Sequence, residues 1–182
     1  MSTIESIKPK EKIQSRFGHE INEKEFQRIH QLYNELMPTS PWSEKFMKQI
    51  LFDESRSPLY NTFEIEGESI GLVLGRLLKD DKDVFNISSI GVKKEHRHKK
   101  IATKLMQSFI KDVFEQTSVK KIIVHFRESK NLKSFYEKLG FSGHKIVGTY
   151  KNKEAKHYME LLRREDEERD ELPQEGDFEE KK

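Results

Sequence analysis

The chain contains no cysteine, which excludes disulfides, thiolate metal sites and a cysteine nucleophile. It has no apolar run near the roughly 18 residues that a membrane-spanning helix needs. The segment Met1 to Lys12 lacks the apolar core of a signal peptide. These absences point to a cytoplasmic protein with no membrane association. Proline is limited to five residues and glycine to nine, so the positions where they occur punctuate the chain. What is abundant is charge: 34 Lys and Arg stand against 32 Asp and Glu in 182 residues. The near balance hides an asymmetry. Residues 165–182 carry ten acidic and three basic side chains, a net −7, which leaves +9 on the rest. A basic body suits a polyanionic ligand or a ribosome surface, and equally a solvated lysine-rich exterior. No specific nucleic-acid contact and no metal site is expected.

The length suits one domain. Asn22 with Glu25 reads as a capping box, opening a helix through Phe26, Ile29, Leu32, Tyr33 and Leu36. Met37-Pro38-Thr39-Ser40-Pro41 stops it, because proline cannot continue a helix and restrains the residue before it. Ser43 caps a second helix through Phe46, Met47, Ile50 and Leu51. Lys12–Phe17, Leu59–Glu66, Ser69–Leu78 and Val84–Val92 read as strands, the first at an edge. Ile101, Leu105, Phe109 and Val113 recur at helical spacing, and Lys121–Phe126 is a short buried strand. A short helix through Leu132, Phe135, Tyr136 and Leu139 ends at Gly140. Phe141–Tyr150 and His157–Leu162 form a final hairpin. The order gives an α/β fold, a mixed and mostly antiparallel sheet with helices on both faces. The domain spans residues 1–163, with 1–11 flexible. Residues 164–182 form a charged tail too poor in apolar side chains to order itself.

Three features carry chemistry. The basic turn Arg97-His98-Lys99-Lys100, between an apolar strand and a helix, can hold a phosphate on backbone N–H groups and a helix N-terminus. It could equally be the ordinary first turn of a helix. Tyr136 carries a phenol near pKa 10, able to protonate a leaving thiolate, or it is a packing aromatic. His125 stands within Ile122-Ile123-Val124-His125-Phe126-Arg127. It faces away from Ile122 and Val124 by strand parity, and it is either a satisfied core histidine or the holder of a catalytic water.

The stretch from Gly91 to Leu105 that contains this turn, followed about thirty residues later by Phe135-Tyr136-Glu137-Lys138-Leu139-Gly140-Phe141, resembles the acetyl-CoA site of the GCN5-related N-acetyltransferases (GNAT). The family pattern is Arg or Gln, two residues, Gly, any residue, then Gly or Ala. Arg97 and Ala102 match it, whereas Lys100 occupies the glycine position and must take either a negative φ or a strained one. Met37-Pro38-Thr39-Ser40-Pro41-Trp42-Ser43 resembles the loop between the first two helices of protein N-terminal acetyltransferases of the RimI type. Val124-His125-Phe126-Arg127 resembles the fifth strand of the NatE-type catalytic subunits. Gly148 to Ala155, followed by Met159, resembles their last loop.

The resemblance implies an acetyl-CoA-dependent transferase that acetylates protein N-terminal α-amino groups. It leaves open a Lys or small-amine acetyltransferase and a non-catalytic CoA-binding module. It implies that Arg97, His98, Lys99, Lys100, Ile101, Ala102 and Thr103 hold the pyrophosphate. A backbone amide of Ile90, Gly91 or Val92 meets the thioester oxygen, and Asn131 and Tyr136 contact CoA. His125 orders the water that takes the amine proton, and Tyr136 protonates the thiolate. Met37, Pro38, Thr39 and Tyr150 bind the N-terminal peptide substrate. A ribosome or an auxiliary subunit is a possible further partner. Two departures stand out: Ser129 where an Asn is common, and about Asn86 where the NatE-type enzymes have a Tyr. A chain ending at Arg163 is expected to fold and to acetylate free peptides as the full chain does, checked by circular dichroism and by assay.

Overall fold

The computed structural model describes residues 7–164; the charged tail from 165 onward and the first six residues lie outside them. Seven strands form one sheet in the order β1-β2-β3-β4-β5-β7-β6. They are β1 (Glu11–Phe17), β2 (Leu59–Ile65), β3 (Glu68–Leu77), β4 (Val84–Val92), β5 (Lys121–Arg127), β6 (Ser142–Thr149) and β7 (Ala155–Leu162). Every neighbouring pair is antiparallel except β4 with β5. The expected edge strand is at the edge, and the expected fold class is the one observed.

Four helices cover the sheet: α1 (Glu23–Leu36), α2 (Glu44–Leu51), α3 (Ile101–Gln116) and α4 (Lys133–Lys138). In α1 the buried residues are Phe26, Ile29, Leu32, Tyr33 and Leu36, the single stripe that its spacing encodes. They pack with Met47, Ile50 and Leu51 of α2 against Tyr60, Leu72 and Leu74. The other face packs Ile101, Leu105, Phe109 and Val113 of α3, with Tyr136 of α4, against Phe85, Ile87, Ile122, Val124 and Phe126. Each fully buried large side chain contributes about 1.5–3 kcal/mol by leaving water.

The caps largely follow the sequence. Asn22 accepts from the Glu25 N–H at 2.9 Å, and Ser43 from the Phe46 N–H at 3.1 Å. The capping box at Asn22 is only half made. The Glu25 carboxylate turns inward to accept from Arg28 at 2.7 Å and from the Tyr60 hydroxyl at 2.8 Å. These bonds hold its pKa below the usual value, Arg28 being the larger cause, and burial pushes the Tyr60 phenol far up. A charged partner that is half-buried repays Glu25 better than an exposed backbone N–H.

One irregularity positions everything that follows. Leu74 pairs with Ser89, but Gly75 pairs with Ile87, so Ser88 is an extra residue bulging from β4. Gly75 is required opposite it. A Cβ there would lie 2.4 Å from the Asn86 carbonyl oxygen and 2.6 Å from Phe85 Cε1. Gly75→Ala is therefore expected to cost about 2 kcal/mol through overpacking. That is a fall of roughly 4–8 °C in melting temperature for a domain of this size, readable by calorimetry.

Candidate active site

The parallel pairing of β4 with β5 covers only four positions, from Val84↔Lys121 to Ile87↔Val124. Beyond them β4 continues to Val92 paired only with β3, and β5 continues to Arg127 paired only with β7. The two strands part just after the bulge at Ser88. Ile90, Gly91 and Val92 thus have backbone groups facing a gap rather than a neighbouring strand, which is what a donor to a thioester oxygen needs. Gly91 is pressed by the end of α1: a Cβ there would meet Leu36 Cβ and Met37 Cε, each at 3.0 Å. On the same face the Tyr33 hydroxyl lies 3.4 Å from Ser89 Oγ. Tyr33 sits at core spacing in α1, so sequence reasoning read it as packing alone.

Val92 leads into the basic turn. Arg97 Nε donates to the Val92 carbonyl at 3.1 Å, tying the turn to the end of β4. His98 has φ 65° and Lys100 has φ 62° with ψ 17°, both left-handed. The alternative of a negative φ at Lys100 is thereby excluded: the residue keeps the conformation that glycine would adopt, at about 1–2 kcal/mol for a side-chain-bearing residue. Lys100 is the N-cap of α3 and offers no side-chain cap, and the first turn has no acidic residue. The N–H groups of Ile101, Ala102 and Thr103 have no partner within the helix, by helix geometry. Lys99 and Lys100 are exposed and make no ion pair with any described residue. Free donors, the helix dipole and unneutralised lysines fit a pyrophosphate at this point.

Tyr136 and His125 stand on opposite faces of the sheet, on either side of the gap. Tyr136 is 3% exposed and packs against Phe126, Phe135 and Phe141 with ring centroids 5.2–5.4 Å apart. Burial pushes its phenol up to about 12, so it holds its proton at any physiological pH. His125 is the first residue of β5 past the last pair with β4. It is half-buried on the α1 face beside Tyr158, 5.5 Å between centroids. Burial, and then the Lys156 ammonium, push its imidazole down from 6.5, so it is neutral near pH 7. Asn86 shares that face, by its pairing with Ile123 two residues before His125. Its Oδ1 is buried with no partner among the described residues, so it stands where a second acceptor near His125 would. Asn131 lies at φ 48° at the end of a short 3-10 turn, Glu128–Lys130, and is exposed.

An open cleft of about 600 Å³ lies between the loop after α1 and the β6–β7 loop. Its lining includes Thr39, Ser40, Arg127, Tyr150, Lys151 and Glu154. Of the four residues expected in an acceptor pocket, Thr39 and Tyr150 meet here. Met37 instead packs into the α1 core and against Gly91, and Pro38 is exposed next to Thr39 without lining the cleft. Both loops are pinned. The Trp42 N–H donates to Asn34 Oδ1 at 2.9 Å, His30 Nε2 lies 2.7 Å from the Trp42 carbonyl, and the Trp42 ring stacks on Tyr33 at 4.2 Å. The Arg127 guanidinium lies 4.0 Å over the Tyr150 ring. Glu154 accepts from the Ser129 N–H at 2.5 Å and from Asn152 at 3.2 Å, with Arg127 at 3.6 Å. These partners, Ser129 first, hold its carboxyl at about 2. Sequence reasoning passed over Arg127 and Glu154; their only signal was opposite charge at positions that the final hairpin brings together.

Residues 26–141 match the sequence model of the Acetyltransferase (GNAT) family. The chain belongs to that family of acetyl-CoA-dependent acetyltransferases. No curated relative matches it in sequence. Solved structures of the same fold include the ribosomal-protein-S18-alanine N-acetyltransferase of Escherichia coli, at TM-score 0.66 and 16% identity over 84% of this chain and 94% of that one. Ard1 of Thermoplasma volcanium gives 0.63 and 15% over 84% and 97%. The spermidine N-acetyltransferase of Vibrio cholerae, solved with CoA and spermine, gives 0.62 and 20% over 82% and 95%. At these identities the likeness is one of fold.

Replacing Lys100 by Gly removes the left-handed penalty and adds back glycine's unfolded-state entropy, a net gain of about 0.5 kcal/mol. The expected outcome is a slightly higher melting temperature of the free protein together with severalfold weaker acetyl-CoA binding, since a cation near the phosphates is lost. Calorimetric melting and titration read the two effects separately.

Proposed function

We propose that this enzyme transfers acetyl from acetyl-CoA to the α-amino group at a protein N-terminus. The observation that carries the reading is the placement of Thr39 and Tyr150 on one cleft, on pinned loops. Lys156 links that cleft to His125, its ammonium 5.7 Å from the Tyr150 ring and acting on the His125 imidazole. The base strength supports the same class of amine. An α-amino group has a pKa near 8 and a Lys side chain near 10.4. An imidazole held below 6.5 is mismatched by far less to the first than to the second.

In this reading the α3 N-terminus and Arg97–Thr103 hold the pyrophosphate, and the Ile90–Val92 backbone orients the acetyl carbonyl in the gap. The amine arrives from the α1 face. The amine reacts in its neutral form, and the one proton that its nitrogen sheds on bonding passes to His125 through a water that Asn86 helps to hold. The amine nitrogen bonds to the acetyl carbon as the carbon–sulfur bond breaks, and Tyr136 gives its proton to sulfur from the opposite face. The strained Lys100 and the missing strand tyrosine would also suit a domain that binds CoA without turnover; acetyl transfer in assay separates the two.

The test is acetyl transfer to peptides with a free or a blocked α-amine, with the modified nitrogen located by mass spectrometry. His125→Ala is expected to lower kcat about 10²–10⁴-fold with acetyl-CoA affinity retained, and Tyr136→Phe to do the same while keeping the ring. At saturating peptide, kcat should fall on the acid side only below 6.5, where His125 gains a proton. No alkaline limb should come from Tyr136 below about 12. Full kcat in His125→Ala would remove that residue from the mechanism.

A further inference from the structure

We infer that the acceptor cleft selects peptides with acidic residues directly after the acetylated position, and discriminates against basic N-termini and polyamines. The inference rests on the proposed α-amine reading and names the substrate class of the same site. It follows from a count of charges that are matched and charges that are not. Arg127 is matched by Glu154 at 3.6 Å. That carboxylate also accepts from the Ser129 N–H and from Asn152, and its pKa is held at about 2, so it is ionised at neutral pH. Its capacity is taken up inside the loop.

Lys130 and Lys151, on the cleft lining, have no carboxylate partner among the described residues. Lys156, whose ammonium lies 5.7 Å from the Tyr150 ring, has none either. The cleft lining therefore presents three cations and one committed anion, with Lys156 as a fourth cation beside it. In a half-open site, potentials of this sign raise the local concentration of anionic ligands and oppose cationic ones. A polyamine would place several ammonium groups among lysines. An extended N-terminal peptide with acidic second and third residues would bring carboxylates into the field of Lys130 and Lys151, which share the wall tied together by Glu154. The same field lowers the pKa of a bound α-ammonium, which raises the share of the neutral amine that attacks.

The experiment uses the full chain with saturating acetyl-CoA. Peptides of equal length carry every residue type in turn at position one, and Asp-Asp, Ala-Ala or Lys-Lys at positions two and three. Spermidine is the parallel substrate. The expected order of kcat/KM is acidic, neutral, basic. At low ionic strength the acidic-to-basic ratio should be on the order of tenfold or more, shrinking severalfold at about 0.5 M salt as screening sets in. The double variant Lys130→Glu, Lys151→Glu should invert the ratio, and the ratio is the readout because it cancels losses common to all peptides. Equal kcat/KM for the three series, or a ratio unmoved by the double variant, overturns the charge selection while leaving α-amine acetylation standing. Acetylation of spermidine but of no peptide overturns both, as does an absence of transfer to any of these amines.

Discussion

Four residue pairs hold the two halves of this sheet together. β1 to β4 form one antiparallel unit and β5 to β7 another, joined only between Val84–Ile87 and Lys121–Val124. The bulge at Ser88 bends β4 away just where that junction ends. Gly75 is the residue that lets the bend fit, because the Asn86 carbonyl occupies the space a Cβ would need. From this one restriction comes a gap in the middle of a sheet whose remaining backbone is paired. The basic turn, the gap and the acceptor cleft are arranged around it.

The gap also separates tasks by face. On the α3 side lie the uncapped start of α3 and the buried phenol of Tyr136, sealed by Phe126 and Phe141. On the α1 side lie His125, Asn86 and the pinned loops with Thr39 and Tyr150. The two titrating groups are pushed in opposite senses by the same cause. Burial raises the phenol and lowers the imidazole, since each is kept in its neutral form. In the proposed reading these are the acid and the base, and a neutral acid with a neutral base is the pairing that proton transfer at neutral pH requires.

The elements were legible in the sequence because each is locally consistent: Asn22 and Ser43 cap, the stripe of α1 repeats at helical spacing, and Gly140 closes α4 at φ 97°. The parity of β5 correctly turned His125 away from Ile122 and Val124. What the sequence could not yield was anything set between distant segments. The divergence of β4 from β5 is a property of a bulge and of a glycine on another strand, with no local signature. The conformation of Lys100 was open because only glycine announces a positive φ. Met37 was assigned to the substrate pocket by resemblance; it is half-buried at the end of α1 and lies against Gly91 beside the gap, off the cleft lining. Arg127 and Glu154 meet across a hairpin, and charge at the surface is too common to mark a pair.

The bond from the Ser129 N–H to Glu154 joins two segments that the proposed reading gives to different substrates. Glu154 belongs to the β6–β7 loop on the cleft, and Ser129 to the short turn that leads through Asn131 into the helix bearing Tyr136. The two segments therefore share one ordering cost. Whichever is fixed first by its own ligand lowers the entropy that the other still has to lose. By linkage, the affinity gained must be the same in either order of arrival.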